Sequence, residues 1–234
     1  MRRIRGLLFL SAALALLQAS CNRNDNPAGP DASGGTLSGI IRDMDGNPVQ
    51  NVGVHYIFET NQIRPLSKPG GTCPSTQIEY TIPARGHVLI RILRWYTRQP
   101  IDTLVNGDLN AGTYSVGFNG GSLTNGVYIC QIVTDMATRE STLTLLNADV
   151  NTLVLTEPLT TSNAQGEFSL PYGVFGFGVV IHVTSSSGPS VIDSVCISPS
   201  LQIVLYKEGY QIMTRPVTID TTQALSIAFT MARQ

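Results

Sequence analysis

Apolar and polar residues alternate in many short runs of this chain, and this spacing limits the fold more than any other feature. In the ranges 78–82, 88–92 and 128–132 every second residue is apolar and most of its neighbours are polar. Successive side chains of a strand point to opposite faces, so each run predicts a strand with one buried face. Half-buried strands are typical of antiparallel sheets. We therefore predict an all-β chain built from packed sandwiches.

The composition agrees with many short strands and excludes one class of partner. Charged residues make up only 13% of the chain, whereas it contains 22 Gly and 13 Pro. Such a composition suits strands separated by turns. Without residues 1–20 the chain carries 12 basic and 16 acidic residues, a formal charge of −4. A nucleic-acid partner requires a basic face, so we predict no nucleic-acid binding.

The N-terminus has the three parts of a secretory signal. Arg2, Arg3 and Arg5 precede an apolar run over residues 7–17, and small residues then lead to Cys21. This order predicts a signal peptide over residues 1–20. The apolar run is shorter than the roughly 20 residues that a spanning helix needs. An ordinary secreted protein, with Cys21 near the cut by chance, is the alternative.

A cysteine at the predicted cut resembles the lipobox of bacterial lipoproteins. The resemblance implies that Cys21 becomes the lipidated N-terminus, with diacylglycerol and palmitate as its modification, and that the partner is a membrane. Residues 22–35 contain many turn-forming residues and no apolar periodicity. They predict a flexible linker between the lipid and the folded body. The expected location is the bacterial cell envelope, on the outer membrane.

Two separated stretches resemble one family. Residues 39–54 contain Asp43, Gly46 and Pro48 in the order D-x-x-G-x-P between two strand-like runs. This pattern resembles the start of the carboxypeptidase regulatory-like domain, a transthyretin-like seven-stranded β-sandwich. The hairpin that usually follows in that family comes only at residues 161–170, roughly a hundred residues later. The resemblance implies that residues 36–60 and 150–234 form one sandwich.

The intervening residues resemble a second family. Five spaced blocks cover residues 75–83, 88–93, 103–107, 111–116 and 123–129. Their order is similar to the Ig-like module of the flagellar hook-capping (FlgD-type) family and to bacterial secretion C-terminal sorting domains.

The second resemblance covers residues 72–147 and implies a nested organisation. An Ig-like module would be inserted into the transthyretin-like sandwich, which is feasible because the termini of a compact module usually lie close together. Two sandwiches in tandem are the alternative. Arg94 and Thr97 depart from the family pattern, so we expect an altered hairpin after Leu93.

The sequence contains no recognisable catalytic or metal-binding motif, so we predict a non-enzymatic protein without cofactor or metal. Asp43, Asp45 and Asn47 alternate around Gly46, but a calcium loop would need a bidentate Glu further on. A turn in which the Asp and Asn side chains bond the backbone explains the pattern better. A hydrolase would require two converging carboxylates or a nucleophile beside a base.

The cysteines predict neither a zinc site nor a particular disulfide. If Cys21 carries lipid, Cys73, Cys130 and Cys196 remain, and their spacing does not fit a zinc site. An exported chain allows one disulfide among them. The sequence does not identify the pair, and three buried thiols are the alternative.

Two aromatic pairs are ambiguous. Trp95 and Tyr96 lie between Arg94 and Arg98 in the predicted hairpin, which makes these four residues a candidate patch for a sugar or a partner protein. The alternative, which we favour, is that Trp95 covers an apolar edge of the sandwich. The second pair, at positions 175 and 177, indicates either a packed loop between domains or an exposed anchor.

Together these observations predict a non-enzymatic envelope lipoprotein that acts as a structural, adhesive or protein-binding module. The first alternative is a carbohydrate-binding accessory lipoprotein. A second is an assembly factor that binds an envelope protein through an exposed strand edge.

Overall fold

The computed structural model describes residues 35–60, 75–147, 149–184 and 191–234. These ranges are nearly all β, which confirms the predicted fold class. The strands in chain order are β1 (Thr36–Asp43), β2 (Gly53–Thr60), β3 (Ser75–Ile82), β4 (Gly86–Arg94), β5 (Pro100–Leu109), β6 (Gly112–Asn119), β7 (Gly126–Thr134), β8 (Thr138–Leu145), β9 (Thr160–Thr161), β10 (Glu167–Pro171), β11 (Val180–Thr184), β12 (Val191–Tyr206), β13 (Met213–Thr218) and β14 (Leu225–Met231). The helices are α1 (Val150–Leu153) and a 3-10 turn over Tyr172–Phe175.

The first and last parts of the chain form one pair of sheets, which we call the outer sandwich. One sheet has the order β10-β1-β14, and the other has the order β11-β12-β2-β9 with β13 also paired to β12. Strands β1 and β14 run parallel, whereas the other pairings of these two sheets are antiparallel. The two ends of the described chain are therefore joined in one sheet.

Alternating side chains build the core of the outer sandwich. Leu37 and Ile41 of β1 face Tyr56 of β2 and Leu201 of β12, and all four are fully buried in one cluster. Gly39 lies between the two β1 residues, and a Cβ there would collide with the ring of Phe168 on the neighbouring strand β10. The glycine is thus required by the close approach of an aromatic ring.

The middle of the chain forms a second pair of sheets, which we call the inner sandwich. Strands β3 and β6 make a two-stranded sheet, and the second sheet has the order β5-β4-β7-β8. The inward side chains of β4 at positions 88, 90 and 92 are fully buried, and Tyr80 and Cys130 join the same cluster. The predicted faces over 78–82 and 88–92 are confirmed. Over 128–132 the predicted face is buried at Tyr128 and Cys130, but Ile129 and Gln131 on the opposite face are buried as well, so this strand is not half-buried. In the described ranges, no sheet mixes strands of the two sandwiches.

A short segment leads back from the inner to the outer sandwich across the outer face of β2. We call residues 149–159 the strap. Asp149 caps α1 by accepting a hydrogen bond from the amide of Asn151. Leu153 and Val154 of the strap pack on Val204 of β12, and Ile57 of β2 joins the cluster. The strap therefore covers the sheet face that points away from the outer core.

The turn after β1 confirms the predicted role of its carboxylate. Asp43 is buried, and its Oδ1 accepts hydrogen bonds from the amides of Asp45 at 3.0 Å and Asn47 at 2.8 Å. Gly46 has a φ of +83°, a conformation that favours glycine. The pKa of Asp43 is lowered from its usual value, chiefly because the carboxylate accepts the hydrogen bond from the Asn47 backbone amide. Arg233 also donates to its Oδ2, at 3.2 Å.

Candidate functional site

The predicted lipid acceptor Cys21, the signal peptide and the linker up to residue 34 lie outside the described residues. Cys73 also lies outside them, and the side chain of Cys196 is not described. Cys130 is a free, buried thiol, and burial raises its pKa. The lipid anchor therefore stays a prediction, and so does any pairing between Cys73 and Cys196.

The four residues of the candidate patch lie in the hairpin between β4 and β5. The turn is closed by hydrogen bonds from the Arg94 amide to the Gln99 carbonyl at 2.9 Å and from the Arg98 amide to the Arg94 carbonyl at 3.0 Å. Arg98 has a φ of +60°, where glycine is normally favoured. A non-glycine residue in this left-handed conformation costs free energy, and the contacts of the Arg98 side chain must offset that cost.

Arg98 belongs to a polar ladder that crosses the β4-β7-β8 sheet. Its guanidinium donates to both carboxylate oxygens of Glu140 on β8, at 2.7 and 2.6 Å. Glu140 Oε1 also accepts a hydrogen bond from Gln131 Nε2 at 2.6 Å. Gln131 Oε1 in turn accepts one from Arg91 Nε at 2.6 Å. Burial raises the pKa of Glu140, but the hydrogen bonds from Arg98 and Gln131 outweigh it and hold that pKa below its usual value.

Arg94 connects the hairpin to the strap. Its guanidinium lies 2.8 Å from Glu157 Oε2 in an ion pair that is partly exposed. The Glu157 amide donates to the Ser122 carbonyl at 2.8 Å. Both cations of the candidate patch thus have anionic partners within the protein, while Tyr96 between them is half-buried. Whether the patch binds a ligand stays a prediction.

Trp95 packs against the core of the outer sandwich although it belongs to the inner one. Val127, at the start of β7, and Leu146, just after β8, contact the same cluster. Val127 approaches the 3-10 turn closely, because a Cβ on Gly176 would lie 2.6 Å from Val127 Cγ2. Three apolar side chains of the inner sandwich therefore pack against the core of the outer one where the two meet. We call this contact region the junction.

The aromatic pair at positions 175 and 177 lies at the junction. Phe175 is fully buried and packs edge-to-face on Tyr56, with ring centroids 5.1 Å apart. Phe177 stacks on Phe175 at 5.3 Å. The sequence left open a packed loop between domains or an exposed anchor. Phe175 is packed between the two sandwiches and is not exposed.

Asn125 makes a buried polar contact at the junction. One edge of β2 is contacted by the strap, where the Val54 carbonyl accepts a hydrogen bond from the Leu159 amide. The Tyr56 carbonyl, two residues further along β2, points to the same edge. Asn125 Nδ2 donates to that Tyr56 carbonyl at 2.8 Å and to the Asn147 carbonyl at 2.8 Å. Its Oδ1 accepts from the Asn147 amide at 2.5 Å. One buried side chain thus ties the inner sandwich to the edge of β2.

Two tyrosines near this contact, Tyr56 and Tyr128, are buried. Tyr128 donates to the Thr124 carbonyl at 2.8 Å, and burial raises the pKa of Tyr128 to about 12. Burial also raises the pKa of Tyr56 well above its usual range, and the nearby Tyr128 adds to this effect. Both tyrosines therefore remain protonated donors in the pH range of cells.

His55 is buried on the other face of β2. It pairs with Val204 of β12 and shares that face with Ile57. Its Nε2 and the Cβ of Pro158 in the strap lie 3.3 and 3.4 Å from the position that a Cβ on Gly53 would take, so the ring is near the strap. The side chain is 1% exposed, and burial lowers its pKa to about 4. His55 is therefore neutral at pH 7.

The sequence offered a packed loop at positions 175 and 177 as one of two interpretations, but it did not indicate Asn125, whose hydrogen bond to the Tyr56 carbonyl spans 69 positions. In the described ranges, no group of three or more His, Cys, Asp or Glu side chains could hold a metal ion. None of the helices described is long and apolar enough to cross a bilayer. No family model, curated protein or solved structure matches the chain.

Proposed function

We propose that this chain is a non-enzymatic, lipid-anchored protein of the bacterial cell envelope, positioned at the outer membrane. Lipid on Cys21 would tether the folded body through residues 22–35. Each buried methylene contributes about 0.8 kcal/mol, so several acyl chains make such attachment stable. The anchored body then acts as a structural, adhesive or protein-binding module.

The observation that carries this proposal is the junction. Val127 and Trp95 of the inner sandwich pack in the outer core, and Asn125 closes the edge of β2. Domains joined only by linkers move relative to each other, whereas packed apolar side chains and a buried hydrogen bond between two domains resist such motion. A stiff body with two sandwiches suits a protein that holds a surface in a fixed orientation above a membrane.

The two resemblances support the same proposal. We infer that the outer sandwich is regulatory-like and that the inner one is an inserted hook-capping-like Ig module. The strand pairings are compatible with this nested arrangement, because both ends of the described chain belong to the outer sheets. Neither resemblance implies a catalytic centre.

A cell-fractionation experiment tests the anchor. The full-length chain and its Cys21→Ala variant are expressed in a bacterium with an outer membrane, and Cys130→Ala serves as the cysteine control. We expect the wild type and the control to sediment with outer membranes and the Cys21 variant to be released. Membrane attachment of Cys21→Ala would contradict the proposal.

A binding experiment separates the module from its alternatives. A strain that lacks the protein should lose surface attachment or an envelope complex, and the wild-type gene should restore it while Cys21→Ala should not. A glycan array that binds the wild type but not Trp95→Ala or Tyr96→Ala would instead favour a carbohydrate-binding accessory lipoprotein. Turnover of any substrate by the purified protein would contradict the non-enzymatic assignment.

A further inference from the structure

Two buried hydroxyl groups at the junction lack a protein partner. Tyr56 is 0% exposed and Thr124 is 2% exposed. Within the described part of the chain, neither Tyr56 Oη nor Thr124 Oγ1 has a hydrogen-bond partner. Folded proteins rarely leave such groups unpaired, because burying a hydroxyl without a hydrogen bond is costly. The pairing is normally completed by protein or by an ordered water molecule.

A glycine leaves room beside the Tyr56 hydroxyl. A Cβ placed on Gly126 would lie 3.5 Å from Tyr56 Oη and 3.6 Å from Tyr128 Cε2, with no heavy atom nearer. Tyr128 also connects the two ends of the site, because its hydroxyl donates to the Thr124 carbonyl at 2.8 Å. The Tyr56 hydroxyl, the backbone of Thr124 and the open space therefore all border the Tyr128 side chain.

We propose that the junction is a binding site for one ordered water molecule, which bridges the hydroxyls of Tyr56 and Thr124. A buried water needs two to four polar partners. The hydroxyl oxygen of Tyr128 offers a third, since it donates to Thr124 and can still accept a hydrogen bond. The neutral hydroxyls suit water better than an ion. The water would complete the polar side of the contact that Asn125 begins.

The sign of a mutational effect distinguishes an occupied site from an empty one. If the hydroxyls are unpaired, then Tyr56→Phe and Thr124→Val each remove a costly group and stabilise the fold. If they share a water, each change removes a hydrogen bond and destabilises it. The two changes should also be coupled, because either one breaks the same bridge.

The first experiment is a double-mutant cycle on the full chain, measured by urea unfolding. We expect each single variant to raise the unfolding equilibrium constant about three- to tenfold. We expect the double variant to raise it by clearly less than the product of the two. A lower unfolding constant in either single variant, or independent effects that multiply, would overturn the proposal. Tyr172→Phe is the control, because the Tyr172 hydroxyl already donates to the Gln223 carbonyl at 2.7 Å.

The second experiment observes the site directly and keeps the test valid if Tyr56→Phe does not fold. A high-resolution crystal structure of the wild type should show a water within about 3 Å of both hydroxyls. Gly126→Ala should displace it and raise the unfolding constant, whereas Gly107→Ala, where a Cβ meets nothing within 4 Å, should not. A site without solvent density, or stabilisation by Gly126→Ala through filling of an empty space, would overturn the proposal.

Discussion

Acidification should weaken this fold through one buried histidine. His55 lies near the strap on the outer face of β2, and burial lowers its pKa from 6.5 to about 4. The unfolded chain therefore binds a proton at a higher pH than the folded chain does. Burial of the neutral ring stabilises the folded chain fully above pH 6.5. This stabilisation is lost as the pH falls through about 4, where the buried ring must take up a proton.

The size of the effect follows from the two pKa values. The difference between 6.5 and about 4 corresponds to about 3 kcal/mol in the free energy of unfolding. About 2 kcal/mol of this should be lost between pH 7 and pH 5, because the unfolded histidine titrates in that interval. Local opening of the strap can let water reach a charged imidazole and so reduce this loss. We therefore expect a measured loss of about 1 kcal/mol.

The assay is urea unfolding at pH 7 and pH 5 for the wild type, His55→Leu and His87→Leu. His87 is the matched control, because its side chain is exposed on β4. We expect His55→Leu to lose about 1 kcal/mol less than the wild type between the two pH values. His87→Leu should behave as the wild type does. Equal losses in the wild type and His55→Leu would refute the reasoning.

Three further substitutions test the packing, the hairpin and the junction. Gly39→Ala should lower the unfolding free energy by about 1–3 kcal/mol, because its methyl group meets a core ring, while Gly107→Ala should leave the melting temperature unchanged. Arg98→Ala should lower the free energy of unfolding by urea by about 1 kcal/mol, because it loses the ion pair with Glu140 and keeps the positive φ. Arg98→Gly should be nearly neutral, because glycine adopts a positive φ readily, and equal losses in the two variants would contradict this view. Asn125→Ala should cost about 3 kcal/mol and split calorimetric unfolding into two transitions; one unchanged transition would argue against the junction.

The strands were predictable where local patterns determine the structure. Alternation placed positions 88, 90 and 92 in the inner core, where they are fully buried. The residues of the first turn also acted as predicted, since Asp43 bonds backbone amides two and four residues away. Such interactions lie within a few positions of each other, and a single sequence contains them.

The junction was not predictable because it depends on distant contacts. Nothing near Asn125 in the sequence indicates that its amide meets the Tyr56 carbonyl, 69 positions away. The same limit applies to Trp95: its aromatic character suggested either a ligand or an apolar contact, and only the fold shows that the contact is with the other sandwich. His55 gave no signal either, because its burial depends on a strap about a hundred residues later.

The anchor at Cys21 is the central claim, and mass spectrometry of the mature N-terminus tests it most directly. The protein should be purified from membranes with detergent and digested, and its N-terminal peptide should be measured. We predict a chain that begins at Cys21, with diacylglycerol on the sulfur and a fatty acid on the amine. A mature chain that begins elsewhere, or a Cys21 with an unmodified thiol, would contradict the account.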